Sequence, residues 1–464
     1  MRRFLLSSFI RAASSVVLLG FTGCFYAPTI ADCAVACTNT CPAGLRCLEG
    51  LCRTSDKVSC ECQSGTNRVC GTTRGECKAG TQTCAAGSWG SCVGEITPTR
   101  EVCDGFDNDC DGLTDQFDPV VLYDAPVRDW RWLSLDSGFA LVTMETTDAG
   151  DDATTVHRYG PAFEPLEVTV ARVGPRAVTE ATGIHSTVYL GWALDGGLQL
   201  AAVTDGQRTA LEGLDDAGVG LRMRMAVNDE RLLLHWDRRG SPSTRLGRWT
   251  TSGQLTDVTD FSTLDAGYPL TDGFTSVLSS KGHYAVFTAT SPPDAGLESN
   301  LRLLIDTATL QLRRINAPYY QYDINDSHLV ELRNGALASV YTYIYPADSW
   351  SGLYMNPDML TLTTADEVTV EEVKTNALAW GGSDAVADAF DRVSFVYMDN
   401  VARRLVLARS VGSGRQSQAP VKRPFTSADG FGVPRLGTPD SDGFLPLAWY
   451  DQSRITARRV CPVR

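Results

Sequence analysis

The chain of 464 residues carries 55 Asp and Glu against 41 Lys and Arg, which gives a formal net charge of −14. Such an acidic surface argues against nucleic acid as a partner and against membrane docking through basic residues. Fifteen cysteines, nearly all in the first quarter of the chain, favour an exported protein, because disulfides persist in oxidising compartments.

The first 24 residues, MRRFLLSSFIRAASSVVLLGFTGC, resemble a bacterial lipoprotein signal. A basic start precedes an apolar run from Ala12 to Phe21, which is too short to span a bilayer but suits a signal-peptide core. The sequence Phe21-Thr22-Gly23-Cys24 resembles a lipobox, in which the Cys is lipidated and becomes the mature N-terminus. We therefore predict a signal peptide over 1–23 and a lipid anchor at Cys24, placing the protein at the outer membrane or cell surface, or else on the periplasmic side. An ordinary secretory signal is the competing interpretation.

The remaining cysteines predict a disulfide framework. Fourteen follow Cys24, an even number, and spacings such as CAVACTNTC and CEC do not form the paired knuckles of a zinc site. The sequence leaves their connectivity open. The disulfide candidates are Cys33, Cys37, Cys41, Cys47, Cys52, Cys60, Cys62, Cys70, Cys77, Cys84, Cys92, Cys103, Cys110 and Cys461.

Composition divides the mature chain into unlike parts. We predict a Cys-rich tether or small disulfide module over 24–62, a Cys-rich metal-binding module over 63–118 and a β-propeller-like domain over 119–464. The first two lack long apolar runs and need covalent support, whereas the third is long enough for a large core. Its short β-branched and aromatic runs, separated by Gly, Asp, Asn and Pro, predict an all-β fold.

A repeat of about 50 residues organises the third part. Strand-like runs recur as FALVTM, VYLGW, RLLLHW, HYAVF, ALASVY, RVSFVY and FLPLAW, and a second strand follows each, from TVHRY to RITARR. A repeat of this length with a few strands per unit is typical of propeller blades, so seven copies predict a seven-bladed β-propeller. The bulky residues that end the runs are expected in the core between blades: Met144, Trp192, Trp236, Phe287, Tyr341, Tyr397 and Trp449.

The stretch CDGFDNDCDGLTDQFD, residues 103 to 118, has the spacing of an EF-hand calcium loop when counted from Asp107. Calcium takes six to eight oxygen ligands, and a Gly at position 6, here Gly112, permits the sharp turn. The competing interpretation is a solvated acidic turn, since Asp-Gly and Asn-Asp pairs are common turn formers. The predicted ligands are Asp107, Asp109, Asp111, Leu113 through its carbonyl, Asp115 and Asp118.

The same stretch carries a resemblance to a known family. Residues 69 to 115 are similar to the Cys/Asp-rich metal-binding motif of exported bacterial lipoproteins of the myxobacterial type, a motif known from methanotroph copper-binding surface proteins. The loop also resembles the calcium loops of thrombospondin type 3 repeats. The resemblance implies copper as an alternative metal, but hard carboxylates without imidazole or thioether suit calcium better. The matching core is Cys103, Asp104, Gly105, Asp107, Asn108, Asp109, Cys110, Asp111 and Gly112.

The function of the propeller is less well determined by the sequence. The chain shows neither a Gly-x-Ser-x-Gly motif nor a catalytic Cys, so we expect a non-catalytic propeller that binds a protein or carbohydrate ligand. A secreted hydrolase or lyase acting on glycans or peptides is the alternative. A polar central funnel with clustered carboxylates or a His would favour the enzyme, and a flat apolar or aromatic face the binder. Five histidines are spread over the repeats: His157, His185, His235, His283 and His328.

A last prediction concerns how the ring closes. The seventh repeat ends soon after RITARR and lacks the further strand that the other repeats contain. Because proteins avoid long unpaired edges, we expect PVVLY, residues 119 to 123, to complete this blade. Cys461 would then lie near the Cys-rich segment and pair with one of its cysteines, with the calcium loop at the junction.

Overall fold

The computed structural model describes residues 29–115, 117–194, 197–215, 219–238, 244–261, 276–290, 300–310, 312–315, 324–333, 337–346, 353–362, 369–371, 383–399, 404–409, 421–425, 434–440, 443–451 and 453–462. The predicted signal peptide and Cys24 lie outside them. The chain forms two compact units, Met1–Thr99 and Arg100–Arg464, so the acidic loop belongs to the same unit as the propeller. Among the described residues, no helix has the length and apolar character needed to cross a membrane.

The first unit is small and built on disulfides. Its strands pair as a β1–β2 hairpin and a β3–β4–β5 sheet, with bounds β1 Arg46–Leu48, β2 Leu51–Arg53, β3 Asn67–Cys70, β4 Gly80–Ala85 and β5 Ser88–Trp89. All fourteen cysteines after Cys24 are disulfide-bonded, which confirms the predicted framework. Pairs within this unit are Cys33–Cys60, Cys37–Cys47, Cys41–Cys52, Cys62–Cys84 and Cys70–Cys92.

The second unit begins with the acidic loop and β6, Val120–Tyr123. Antiparallel four-stranded sheets then follow one another along the chain. The first sheet consists of β7 Asp129–Leu135, β8 Gly138–Thr146, β9 Asp152–Tyr159 and β10 Pro165–Gly174. The second consists of β11 Val178–Ile184, β12 Thr187–Leu194, β13 Gly197–Thr204 and β14 Gln207–Leu214. The third consists of β15 Val219–Val227, β16 Arg231–Arg238, β17 Thr244–Thr250 and β18 Leu255–Asp260.

The later sheets repeat this order. The fourth consists of β19 Ser276–Leu278, β20 Tyr284–Thr290, β21 Asn300–Asp306 and β22 Leu312–Ile315, and the fifth of β23 Ile324–Glu331, β24 Leu337–Pro346, β25 Leu353–Leu362 and β26 Thr369–Glu371. The sixth consists of β27 Ser383–Ala387, β28 Val393–Asp399, β29 Arg404–Arg409 and β30 Val421–Phe425. The seventh consists of β31 Pro434–Leu436, β32 Leu445–Asp451 and β33 Arg454–Val460, to which β6 adds the fourth strand.

These sheets are the blades of a ring. The first strand of each sheet contacts the first strand of the next, and β31 of the last sheet contacts β7 of the first. Within the part of the chain that the structure describes, seven four-stranded blades therefore form an all-β propeller, as predicted. The runs predicted from the repeat form the second strand of each blade, from β8 to β32.

The core lies between neighbouring blades. Met144 packs in one apolar cluster with Trp192 of the next blade, and Trp236 packs in the following one. These three side chains are fully buried, and Trp449 is 5% exposed, which confirms the predicted bulky core positions wherever the side chain is described. Phe287, Tyr341 and Tyr397 lie in second strands, and their side chains lie outside the described part.

The closure of the ring is confirmed. Strand β6 pairs with β33, with Ile455 opposite Tyr123 and Thr456 opposite Val121, so the start of the propeller sequence supplies the fourth strand of the last blade. A disulfide joins Cys103 to Cys461 across a sequence separation of 358 residues. The Tyr159 hydroxyl of the first blade donates a 2.6 Å hydrogen bond to the carbonyl of Leu122 in β6.

Candidate functional site

The acidic loop brings three carboxylates together. Glu101, Asp107 and Asp109 each offer an oxygen, and these oxygens lie within 4.8 Å of one another. Glu101 is 1% exposed and Asp107 7%, although unpaired carboxylates strongly prefer water. Glu101 accepts hydrogen bonds from the backbone amides of Asp109 at 2.8 Å and Asp115 at 3.0 Å, which fix its position. Counting from Asp107 had not identified Glu101.

The other predicted ligands lie apart from this cluster. Asp111 Oδ1 accepts a hydrogen bond from the Leu113 amide at 2.7 Å, and Leu113 is half exposed. Asp115 Oδ1 accepts from the amides of Asp104 and Gly105, and Asp118 is exposed. In this conformation the carboxylates of Asp111 and Asp115 stabilise turns of the loop.

One oxygen of the cluster indicates a cation. Asp107 Oδ2 accepts a 3.0 Å hydrogen bond from the Gly112 amide, but the buried Oδ1 has no hydrogen-bond partner. A buried carboxylate oxygen without a donor is costly, and a bound cation removes that cost. Three hard oxygen ligands fit a metal such as calcium. The sulfurs of Cys37, Cys41 and Cys47 also lie close together, but all three belong to disulfides and are not thiolate ligands.

The loop lies at the seam of the ring. Cys461 Sγ lies 3.8 Å from the carbonyl oxygen of Asp115. The ring of Phe117 packs edge-on against Phe444, with 4.7 Å between centroids, and the Arg459 guanidinium lies over both rings. The last blade and the loop therefore share one packed contact, as the closure prediction required.

A pocket of about 880 Å³ opens where first strands turn into second strands. Turns of the first, second, third, fourth and seventh blades line it. Polar and charged side chains line it together with apolar ones, so it is neither a wholly polar funnel nor a flat apolar face. The rim includes Asp136, His185, Asn228, Asp229, Glu230, Ser280, Lys281, His283 and Asp440.

His185 connects three blades at this rim. Its Nδ1 lies 3.0 Å from Asp136 Oδ2 and its Nε2 lies 3.0 Å from Asp229 Oδ1. The hydrogen bonds to Asp136 and then Asp229 raise the pKa of His185, because both carboxylates favour the imidazolium. With both ring nitrogens engaged, His185 has no lone pair for a general base. It acts as a connection between turns.

His283, in the turn before β20 of the fourth blade, has a different arrangement. Its Nδ1 lies 2.6 Å from Glu331 Oε2, and about half of the imidazole is exposed. Glu331 also accepts hydrogen bonds from the hydroxyl of Ser279 and the amides of Lys281 and His283. In general base catalysis a carboxylate often binds one ring nitrogen of a His and so orients the imidazole, while the rest of the ring stays accessible to the substrate. The pair of Glu331 and His283 has this arrangement.

The three remaining histidines are less exposed. His235 is buried and its Nε2 contacts the hydroxyl of Thr244, while His157 Nε2 lies 3.1 Å from the hydroxyl of Thr143. Burial lowers the pKa of both, in His235 to about 3. His328 Nδ1 lies 3.4 Å from Asp384.

The first strands carry charged groups that the sequence analysis did not identify. Arg131 of β7 makes two 3.0 Å contacts with Glu180 of β11, and Arg224 of β15 reaches the same carboxylate at 3.1 Å. Burial opposes the charge of Arg131, but Glu180 and then Asp129 outweigh it and raise its pKa. The partners are 44 to 49 residues apart, so no local pattern indicates them.

Comparisons with known proteins add a fold likeness. No protein-family model and no curated protein sequence matches the chain. An ulvan lyase of a polysaccharide lyase family superposes with a TM-score of 0.49 at 9% identity, over 74% of this chain and 96% of that one. The propeller domain of the trilobed protease of Pyrococcus furiosus gives 0.45 at 9%, over 74% and 99%. An α-L-arabinofuranosidase of Fusarium graminearum gives 0.40 at 12%, over 75% and 98%. These values carry no inference about chemistry.

Proposed function

We propose that this protein is an exported propeller that binds a ligand in the pocket formed by the turns between first and second strands. We also propose that a calcium-binding loop stabilises the closure of its ring. The pocket carries the proposal, because turns from five blades converge on it. Binding sites in proteins are usually concave and combine a few convergent polar groups with an apolar floor. Here Leu135, Phe139, Ile184 and Val227 supply apolar lining beside the polar groups.

The chemistry of the rim favours a carbohydrate. Carboxylate acceptors at Asp136, Asp229 and Glu230 line the same pocket as the ammonium donor of Lys281, which is a mixture that sugar hydroxyls can satisfy. Lys281 is exposed and His283 about half exposed, so both remain accessible to a ligand. A peptide is the second ligand class.

We expect the purified protein to bind a subset of oligosaccharides on an array of neutral, uronic and sulfated glycans. Asp229→Ala combined with Lys281→Ala removes one acceptor and one donor, and should weaken binding at least about tenfold, or about 1.4 kcal/mol. Arg208→Ala, on the exposed outer strand of the second blade, is the matched control and should bind like the wild type. Binding to peptides alone, or glycan binding that the double variant retains, would contradict the proposal.

The second candidate function is a secreted hydrolase or lyase, and the His283–Glu331 pair favours it. In this case the oligosaccharide that binds should be cleaved, and chromatography of the products would show it. His283→Gln should then abolish cleavage while the affinity changes by less than about threefold. Binding without any product would leave the non-catalytic function.

We propose calcium as the metal of the acidic loop. Glu101, Asp107 and Asp109 supply carboxylates, and the unpartnered Asp107 oxygen supports a cation at this point. The absence of imidazole and thioether groups from this ligand set makes copper a poorer fit. Asp111, Leu113, Asp115 and Asp118 complete the ligands only if the loop rearranges to the EF-hand geometry.

Calorimetric titration should show one calcium site with a dissociation constant of about 0.1 to 1 mM, as in extracellular modules. Glu101→Gln should weaken binding about tenfold or more, because it removes a buried charge from the ligand cluster. Asp118→Asn is the control and should leave the affinity within about twofold. The opposite pattern, with Asp118 needed and Glu101 dispensable, would establish the EF-hand ligand set instead.

The disulfides indicate an extracellular or periplasmic location. We propose in addition that Cys24 is lipidated and anchors the protein at the outer membrane or cell surface, which rests on the sequence from Arg2 to Cys24. Labelled palmitate should enter the wild-type protein in the producing bacterium. Label retained by Cys24→Ala would refute the anchor.

A further inference from the structure

The outer strand of the first blade, β10, presents an apolar edge. It is ten residues long and pairs only with β9 among the described strands. Leu166, Val168, Val170 and Val173 are 58 to 63% exposed on it. A long exposed apolar edge is a template for pairing with another chain, and proteins usually protect such edges with charges.

Two other outer strands, β14 and β18, have this protection. In β14 the exposed positions include Arg208 and Glu212, and in β18 they include Asp257 and Asp260. The two charged residues of β10, Glu167 and Arg172, are only half-buried, and Arg172 donates a 2.8 Å hydrogen bond to the carbonyl of Pro175. The exposed stripe of β10 is therefore free of charge in a chain that is otherwise strongly acidic.

We propose that β10 mediates a two-fold dimer by antiparallel pairing with β10 of a second copy. Two copies of the stripe match each other when the two-fold axis passes through Val168. Side chains alternate along a strand, and residues that lie opposite one another in a pair of strands share a face. Val168 then faces Val168 of the second copy, and Leu166 faces Val170. On the other face Glu167 lies opposite Thr169, so no like charges are opposed. A two-fold axis creates this match from one surface.

The charge of the protein favours a second copy at this strand rather than elsewhere. After removal of the signal peptide and its three arginines the net charge is −17, so two copies repel through most of their surfaces. An uncharged stripe is where they can approach. Register shifts between Pro165 and Glu167 and between Val170 and Arg172 limit the regular pairing to a short segment. The interface is thus smaller than that of a stable dimer, and self-association should be weak.

Sedimentation velocity on the full mature chain carrying Cys24→Ser tests this pairing. For the wild-type protein, the fraction of dimer should rise as the protein concentration is increased into the high micromolar range. Val168→Lys should weaken it about tenfold or more, because it opposes two ammonium groups at the axis. Ala210→Lys, at an exposed position of β14, is the matched control and should behave like the wild type.

Cysteine cross-linking then tests the register. Opposed Cβ atoms in antiparallel strands are about 5 Å apart, so Val168→Cys should form a disulfide-linked dimer on mild oxidation. Leu166→Cys alone should not, but a mixture of Leu166→Cys and Val170→Cys should. A monomer at every concentration overturns the proposal, as does dimerisation that survives Val168→Lys. Equal cross-linking at all three positions would show that the proposed register is wrong. If β10 binds an extended apolar peptide and the protein does not self-associate, the partner of this edge is a peptide and not a second copy.

Discussion

Cys103→Ser combined with Cys461→Ser should lower the free energy of unfolding of the propeller by about 6 kcal/mol, estimated from the chain entropy of so long a loop. The disulfide closes a sequence separation of 358 residues and holds β6 beside β33. Without it, the last blade depends on the short β6 pairing and on the contact between Phe117 and Phe444. Urea unfolding followed by tryptophan fluorescence measures the change. Both partners are replaced, so no free thiol remains to exchange.

Cys37→Ser combined with Cys47→Ser is the matched control. This pair closes a separation of only 10 residues in the first unit, and its loss should leave the urea midpoint of the propeller unchanged. Calcium should offset part of the loss at the seam, by about 1.4 kcal/mol at a concentration ten times the dissociation constant. Equal destabilisation by the two double variants would show that the seam has no special role.

Acid should destabilise the propeller through His235, and His235→Leu should remove that part of the effect. The imidazole is buried, and burial and then the charge of Arg224 lower its pKa to about 3. The unfolded chain takes up this proton near pH 6.5, so between pH 6.5 and 3 the unfolded state binds more protons and stability falls as the pH falls. The loss reaches about 4 kcal/mol near pH 3. Urea unfolding of both proteins at a series of pH values measures it.

His185→Gln supplies a control of opposite sign. The pKa of His185 is raised by Asp136 and Asp229, so its contribution is present below the unfolded pKa and is lost as the pH rises through the folded one. His235→Leu should therefore flatten the acid side of the stability profile, whereas His185→Gln should lower stability there by a constant amount and change the slope only above about pH 6.5. An unchanged acid slope in His235→Leu would refute the role of His235. Thr244 keeps a 3.1 Å hydrogen bond to the carbonyl of Trp236 in that variant.

The sequence predicted the second and third strands of the blades because their apolar runs repeat at regular intervals. It did not predict the first strands, such as β7 and β11, because their residues mix apolar with charged side chains. Glu180 is buried there only because Arg131 and Arg224 meet it from neighbouring blades. Such pairs form only after the ring has assembled, so neither periodicity nor spacing reveals them.

The acidic loop shows a similar limit. Its Asp spacing indicated a cation site, but a count along the loop finds only residues inside it. Glu101 precedes the loop and joins the carboxylates because the amides of Asp109 and Asp115 fold back onto it. The closing strand was predictable for a different reason. Counting the strands of each repeat shows that the seventh has one too few, so the missing strand had to come from elsewhere in the chain.

The bond between Cys103 and Cys461 also changes what a protease can do to this protein. Every peptide bond between these two residues lies inside one covalent cycle. A single cut in any connection between blades opens the cycle but leaves both products joined, so no blade can diffuse away. Release of a fragment needs a second cut or a reductant. Outside the cell, where proteases are common and reductants scarce, the ring therefore tolerates a nick that would divide an ordinary propeller closed by hydrogen bonds alone.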